Sequence, residues 1–191
     1  SEMPYETASE TIKRSTGIDL SNHHGHEVTN EIAQELDILD VCPSKEEIHR
    51  EIEVLSSGKF RRPILMIGMD GSHAPTRPEP SPRKGKRGQG QWQEVKGFRF
   101  YLLAGDRILH LISWHQISGD KGIAADLSTI KEAGLIPEDR VRICVIGDGA
   151  PWIWNRIQEI YPQAKQVLDY YHCSEYIYEL ARAQYGKDSQ M

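Results

Sequence analysis

The chain has 191 residues, 38% of them hydrophobic, and a formal charge of −5 at pH 7. That length sustains one good core with a small helical appendage; no apolar run approaches the roughly 18 residues of a membrane span, and SEMPYETASE at the start lacks the basic flank and apolar centre of a signal peptide. The expectation is a cytoplasmic protein with no membrane partner, and three scattered cysteines, Cys42, Cys144 and Cys173, without CxxC spacing, exclude a disulfide framework and a zinc ribbon.

In chain order, Tyr5, Ala8 and Ile12 recur at helical spacing and Gly17 stops that helix. Ser21 or Asn22 caps a second helix running through Val28, Ile32 and Leu36. Two short helices around a glycine turn have the outline of a helix-turn-helix, and plain helical packing produces the same pattern. The HHGH of residues 23 to 26 has neither cysteine partners nor a second histidine pair to make a zinc site. A charged helix follows Pro43-Ser44, and the character changes after residue 62. Residues 1–62 therefore read as a helical segment and 63–191 as a second domain.

PILMIGMD (63–70) is a near-continuous apolar run, the mark of a strand buried on both faces. FRFYLLAG and RILHLISWHQI flank Gly105-Asp106 as an antiparallel hairpin. Next come a helix over ADLSTIKEAGLI, a buried strand VRICVIGD (141–148), a helix over WIWNRIQEIY, a strand AKQVLDYYH, and a last helix with Ile177, Leu180 and Tyr176 inward. This order predicts an α/β fold, a mixed sheet with flanking helices preceded by a small helical segment. Between the first two strands lies HAPTRPEPSPRKGKRGQGQWQEVK, whose Arg83, Lys84, Lys86 and Arg87 form the most basic patch in the chain. By composition it is a solvated loop. Beside a cluster of acids it would hold phosphates. Lys96 alternates with Trp92 and Glu94 as on an edge strand and can face phosphate as well.

Asp70 and Asp148 each close an apolar strand and each precede a glycine, Met-Asp-Gly-Ser and Gly-Asp-Gly-Ala. Asp-Gly commonly does no more than turn the chain. Two such pairs on neighbouring strands would bring two carboxylates together, and such a pair shares a proton or holds a cation, for which oxygen ligands favour Mg²⁺ or Mn²⁺.

Asp148-Gly149-Ala150, Trp152 and Trp154, Tyr161-Pro162-Gln163-Ala164 and Asp169-Tyr170-Tyr171-His172 follow one another in a pattern that resembles the second-aspartate region of bacterial insertion-sequence transposases of the DDE type, relatives of the Mutator-like group. MDGSHAP followed by QWQEVKGFRF is similar to their first-aspartate region. The resemblance covers roughly residues 63 to 185. It implies an RNase H-like fold and divalent-metal-dependent DNA cleavage and strand transfer, with Asp70 and Asp148 as catalytic metal ligands. It also implies DNA partners, the transposon ends and the target, and a homo-oligomer in the full-length protein.

The third carboxylate of such enzymes is a glutamate well downstream. The chain stops at Met191, so the expectation is a partial catalytic domain; Glu175 and Glu179 are the nearby substitutes, more typical of a solvated helix face. Asp169 and His172 either shape the site or are a capping aspartate and its histidine. Of Trp152 and Trp154, which cannot share one helix side, one is expected in the core and the other is placed to stack on DNA. A haloacid-dehalogenase-like phosphatase would need an aspartate where Gly68 stands. The remaining rivals are a non-catalytic DNA-binding transposase remnant and an RNase H-like nuclease.

Overall fold

Four stretches rich in alternating or continuous apolar residues pair with the edge segment Lys165–Leu168 to give one five-stranded sheet. The computed structural model describes residues 5–76 and 90–186. Two compact units divide between Val41 and Cys42. In the first, α1 (Tyr5–Thr16) packs on α2 (Asn22–Glu35), and the single-turn α3 (Ile38–Val41) buries Ile38. Gly17 takes φ 75°, and its N–H closes α1 on the Lys13 carbonyl at 3.0 Å, the glycine stop expected there. Ser21 Oγ caps α2 by accepting from His24 N at 3.2 Å.

The second unit begins with α4 (Lys45–Ser56), started by a capping box in which Ser44 Oγ accepts from Glu47 N and Glu47 Oε2 accepts from Ser44 N. Composition changes at residue 62, but α4 belongs with the sheet. Its Ile48, Ile52 and Leu55, one face at i, i+4 and i+7, are buried, and the helix packs on β2.

The sheet comprises β1 (Ile64–Pro75), β2 (Trp92–Ala104), β3 (Arg107–Gln116), β4 (Arg142–Gly147) and β5 (Lys165–Leu168), in the spatial order β3-β2-β1-β4-β5. The first three are antiparallel, and β4 and β5 run parallel to β1. Their crossovers are α5 (Asp120–Glu132) and α6 (Pro151–Ile160), and α7 (Tyr170–Tyr185) follows β5. This is the mixed α/β architecture and the element order read from the sequence. Between β2 and β3, Gly105 at φ 66° opens a two-residue turn, the left-handed position such hairpins require.

One face of the sheet is the core. Leu65, Ile67 and Met69 of β1 stand beside Leu102, Phe100 and Phe98 of β2, and all six are buried. Over them lie α4, α5 through Ile123, Leu127 and Ile130, and α6 through Ile153, Ile157 and Ile160. Each fully buried side chain of this kind contributes about 1.5–3 kcal/mol. The other face carries Met66, Gly68, Arg99, Tyr101 and Ile146, none fully buried. The apolar runs of β1 and β4 thus bury one face completely and leave the other half-open, where burial on both was expected.

Against expectation α7 buries nothing: Ile177 and Leu180 are 62% and 69% exposed. The helix departs from an edge strand whose own residues are all exposed, so no described layer lies against its apolar side. Among the described residues no helix is long and apolar enough to cross a membrane.

Candidate functional site

β1 and β4 are adjacent and parallel, with Gly68 paired to Ile146. Asp70 and Asp148 lie two residues beyond that pair on their respective strands, so the same stagger brings them level at the C-terminal end of the sheet. Strands about 4.8 Å apart set the two backbones close together. Both aspartates line one cleft of about 530 Å³, together with Asp169 and His172. Asp70, Asp148, Asp169 and His172 are therefore assembled in one place.

Local chemistry fixes each carboxylate. β1 continues past Asp70 to Pro75, paired only with β2 there, and Asp70 Oδ1 accepts from Gly71 N at 2.8 Å. After β4 the chain turns at once. Asp148 Oδ1 accepts from Ala150 N at 2.8 Å, Gly149 sits at φ 97°, and Pro151 starts α6. A side chain at 149 would be strained by that φ and would also meet Leu168 Cδ1 at 3.1 Å. The Gly-Asp-Gly is thus both a turn and the holder of a carboxylate in the cleft.

Asp169 is the N-cap of α7, with Oδ1 accepting from Tyr171 N (2.9 Å) and His172 N (3.3 Å), and it also contacts His172 Nδ1 at 3.1 Å. The His172 backbone N–H, then its ring, and the Tyr171 N–H hold the Asp169 carboxyl below its ordinary range. The capping role is realised, at the rim of the cleft. Tyr176 of α7 adds a hydroxyl bond to the Asp148 carbonyl at 3.4 Å.

Two residues that the sequence reading passed over belong to the same cleft, Arg99 and His115. Arg99 stands opposite Gly68, and Gly97 stands between Asp70 and His115 in the cross-strand row. The imidazole lies over Gly97; a methyl group there would come within 2.2 Å of His115 Cδ2. Desolvation first, then Arg99, lowers the His115 pKa, with Asp70 opposing. Alternation around Phe98 and Phe100 could have flagged Arg99 as a charge on the open face.

Lys96 is elsewhere. It is 5% exposed, on the covered face, ion-paired to Glu94, with Nζ 4.9 Å from the centre of the Trp152 ring. It does not face phosphate from an edge strand, because β2 lies between β1 and β3 and Lys96 shares the inward phase of Phe98 and Phe100. The same contact accounts for Trp152, which packs on the protein. Arg83, Lys84, Lys86 and Arg87 lie outside the described residues. Glu175 and Glu179 are exposed on α7 and do not line the cleft.

Among the described residues no group of three or more His, Cys, Asp and Glu side chains is arranged to hold a metal ion. The donor set at the cleft is two carboxylates, each with Oδ1 engaged by its own turn and Oδ2 without a hydrogen bond among the described residues. Such a set fits Mg²⁺, which binds through one or two carboxylates and completes its shell with water and substrate phosphate. Compared with models of known protein families and with curated protein sequences, the chain matches none.

Proposed function

We propose that the chain is part of a DDE-type DNA transposase, whose full-length protein cleaves and joins DNA at transposon ends and target as a homo-oligomer, and that the Asp70–Asp148 cleft supplies the first two carboxylates of its reaction site. The observation that carries the reading is the parallel β1–β4 pairing, which sets two carboxylates level at the C-terminal end of the sheet in one cleft. The motif resemblance over residues 63 to 185 and the agreement of element order with an RNase H-like fold support it.

Asp70 and Asp148 would hold Mg²⁺ or Mn²⁺, which supplies activation of water or a DNA 3′-hydroxyl and stabilisation of the leaving oxygen. The rest falls to the chain. Arg99 offers a planar set of donors to a phosphodiester on the open face. Gly68 leaves its part of the cleft floor without a side chain, which gives a sugar-phosphate backbone room to approach the carboxylates. His115, seated over Gly97 on the same face, adds an imidazole to the cleft wall.

The test is cleavage of labelled terminal-repeat DNA with and without Mg²⁺. The reading requires metal-dependent cutting at the element end that Asp70→Asn and Asp148→Asn each abolish. Cutting that survives both substitutions refutes it. Metal-independent binding without cleavage would instead identify a non-catalytic DNA-binding protein, and cutting of generic substrates without end preference an RNase H-like nuclease.

A further inference from the structure

At the opposite end of the sheet the charge is reversed. Lys59, Arg61 and Arg62 occupy the connector into β1, Arg142 opens β4 and Lys165 opens β5. Two clefts run along this edge. One, of about 540 Å³, is lined by Arg62, Arg142, Lys165, Glu138 and Tyr161 among others; the second, of about 300 Å³, is lined by Lys59, Arg61, Arg62 and Arg142. They share Arg62, Ile64 and Arg142, so they form one continuous groove, and each is within the ligand-sized range of roughly 300–1,000 Å³.

Three of the cations are held in place by backbone and not by acids. Arg62 Nη1 donates to the Asp139 carbonyl at 2.5 Å, Arg142 Nε to the Arg62 carbonyl at 3.1 Å, and Lys59 Nζ to the Ala104 carbonyl at 2.9 Å. A guanidinium has five N–H donors, so both arginines are positioned with donors to spare. Among the described residues none of the five cations forms a side-chain ion pair. Glu138, the acid in the groove, is paired with Lys131 at 3.5 Å.

We infer that this groove, at the N-terminal edge of β1, β4 and β5, is a second DNA-binding site that takes the phosphate backbone of a duplex. The row of cations favours a polymer over a single phosphate. From the Lys59 anchor at the end of β2 across β1 and β4 to Lys165 on β5 are three strand spacings, about 14 Å. That length corresponds to about four base pairs at 3.4 Å each. Positive charge is presented along the row with hydrogen-bond donors and without a base-reading element, so the contact is to backbone and independent of sequence. The choice of DNA among polyanions rests on the transposase reading; the groove and its charge do not.

The experiment is fluorescence anisotropy of a generic labelled duplex in EDTA, over a series of salt concentrations. The variant carries Arg61→Gln and Lys165→Gln, two exposed cations for which no intrachain bond is described. A second variant adds Arg62→Gln and Arg142→Gln. Each lost phosphate contact makes the slope of log K against log salt shallower by about 0.9, so the double variant is expected to lose about 1.8 and the quadruple about 3.6. An unchanged melting temperature of the double variant separates this from misfolding. Wild-type slopes in both variants overturn the inference. So does tighter binding to phosphatidylserine vesicles than to DNA through the same four residues. The cleavage assay reads Asp70 and Asp148 and the salt slope reads the four groove cations, so a failed cleavage assay and a failed groove remain distinguishable.

Discussion

Gly97 is the position where one methyl group tests both the packing and the site. On β2 it lies between Asp70 of β1 and His115 of β3. A Cβ there would stand 2.2 Å from His115 Cδ2, 2.6 Å from His115 Cγ and 2.6 Å from the Trp114 carbonyl oxygen. The imidazole can swing away about its own torsions. The carbonyl belongs to the β2–β3 ladder and cannot, so the strands must separate from 2.6 Å to at least 3.0 Å at that point, the closest approach real Cβ atoms make. Overpacking of this kind costs about 1–3 kcal/mol. At roughly 2–4 °C per kcal/mol for a domain of about 150 residues, Gly97→Ala should lower the melting temperature by about 2–12 °C. The displaced ring should also lose its seat over Gly97 and the burial that goes with it, so the His115 imidazole titration followed by NMR should move toward the ordinary histidine value. A variant with unchanged melting temperature and an unmoved His115 titration would refute the account of Gly97 as the gap that seats His115.

Three further outcomes follow from the described contacts. Lys96→Gln should destabilise the fold by about 1–3 kcal/mol in urea titrations, since it removes the buried partner of Glu94 and the cation over Trp152, while leaving the salt slope of DNA binding unchanged; a shallower slope would return Lys96 to the surface. Asp120 accepts from Arg156 Nε at 3.0 Å and Nη2 at 2.8 Å, and these bonds lower its pKa. A depressed carboxylate stabilises above its unfolded pKa and loses that contribution as pH falls through the folded value. The gap in urea midpoint between wild type and Asp120→Asn should therefore be constant above about pH 5 and close below about pH 4; a gap that widens in acid would contradict the ion pair. Ile153→Ala should cost about 2–5 kcal/mol by calorimetry, because Ile153 is fully buried and its methyls fill the space over Gly147; a loss below about 1 kcal/mol would mean that α6 is not seated there.

How far the sequence could be read depends on what fixes a strand's phase and register. Asp70 and Asp148 were legible because each follows an apolar run and precedes a glycine, and a helical crossover from the meander to a parallel strand is enough to put the two runs side by side. Lys96 was misplaced although its phase was readable. It lies two residues before Phe98 and four before Phe100, both inward, and taking Trp92 to Ala104 as one continuous strand puts it inside with them. His115 was not legible. From the turn at Gly105-Asp106, uninterrupted pairing would set His115 beside Lys96 on the covered face. The register shifts between Phe100 and Tyr101, Leu111 becomes the extra residue, and His115 moves opposite Gly97 on the cleft face. Nothing in RILHLISWHQ announces that bulge. For α7 the amphipathic pattern was real, and burial did not follow, because periodicity describes a face and says nothing of what covers it.

The same consideration of distance bears on the net charge. A formal −5 argues against a polyanionic partner only if the charges act as one. Here they are separated along a strand. From Ile64 at the basic edge to Asp70 at the cleft is a rise of six residues, about 20 Å at 3.3 Å each. That is more than twice the Debye length of about 8 Å at physiological ionic strength. Lys59, Arg61, Arg62, Arg142 and Lys165 therefore present their charge to solution largely unscreened by Asp70, Asp148 and Asp169. The parallel pairing of β1 with β4 produces both ends at once, since strand starts collect at one edge and strand exits at the other. An acidic chain can in this way carry a basic edge, and the carboxylates of its cleft neither cancel that edge nor need its cations as partners.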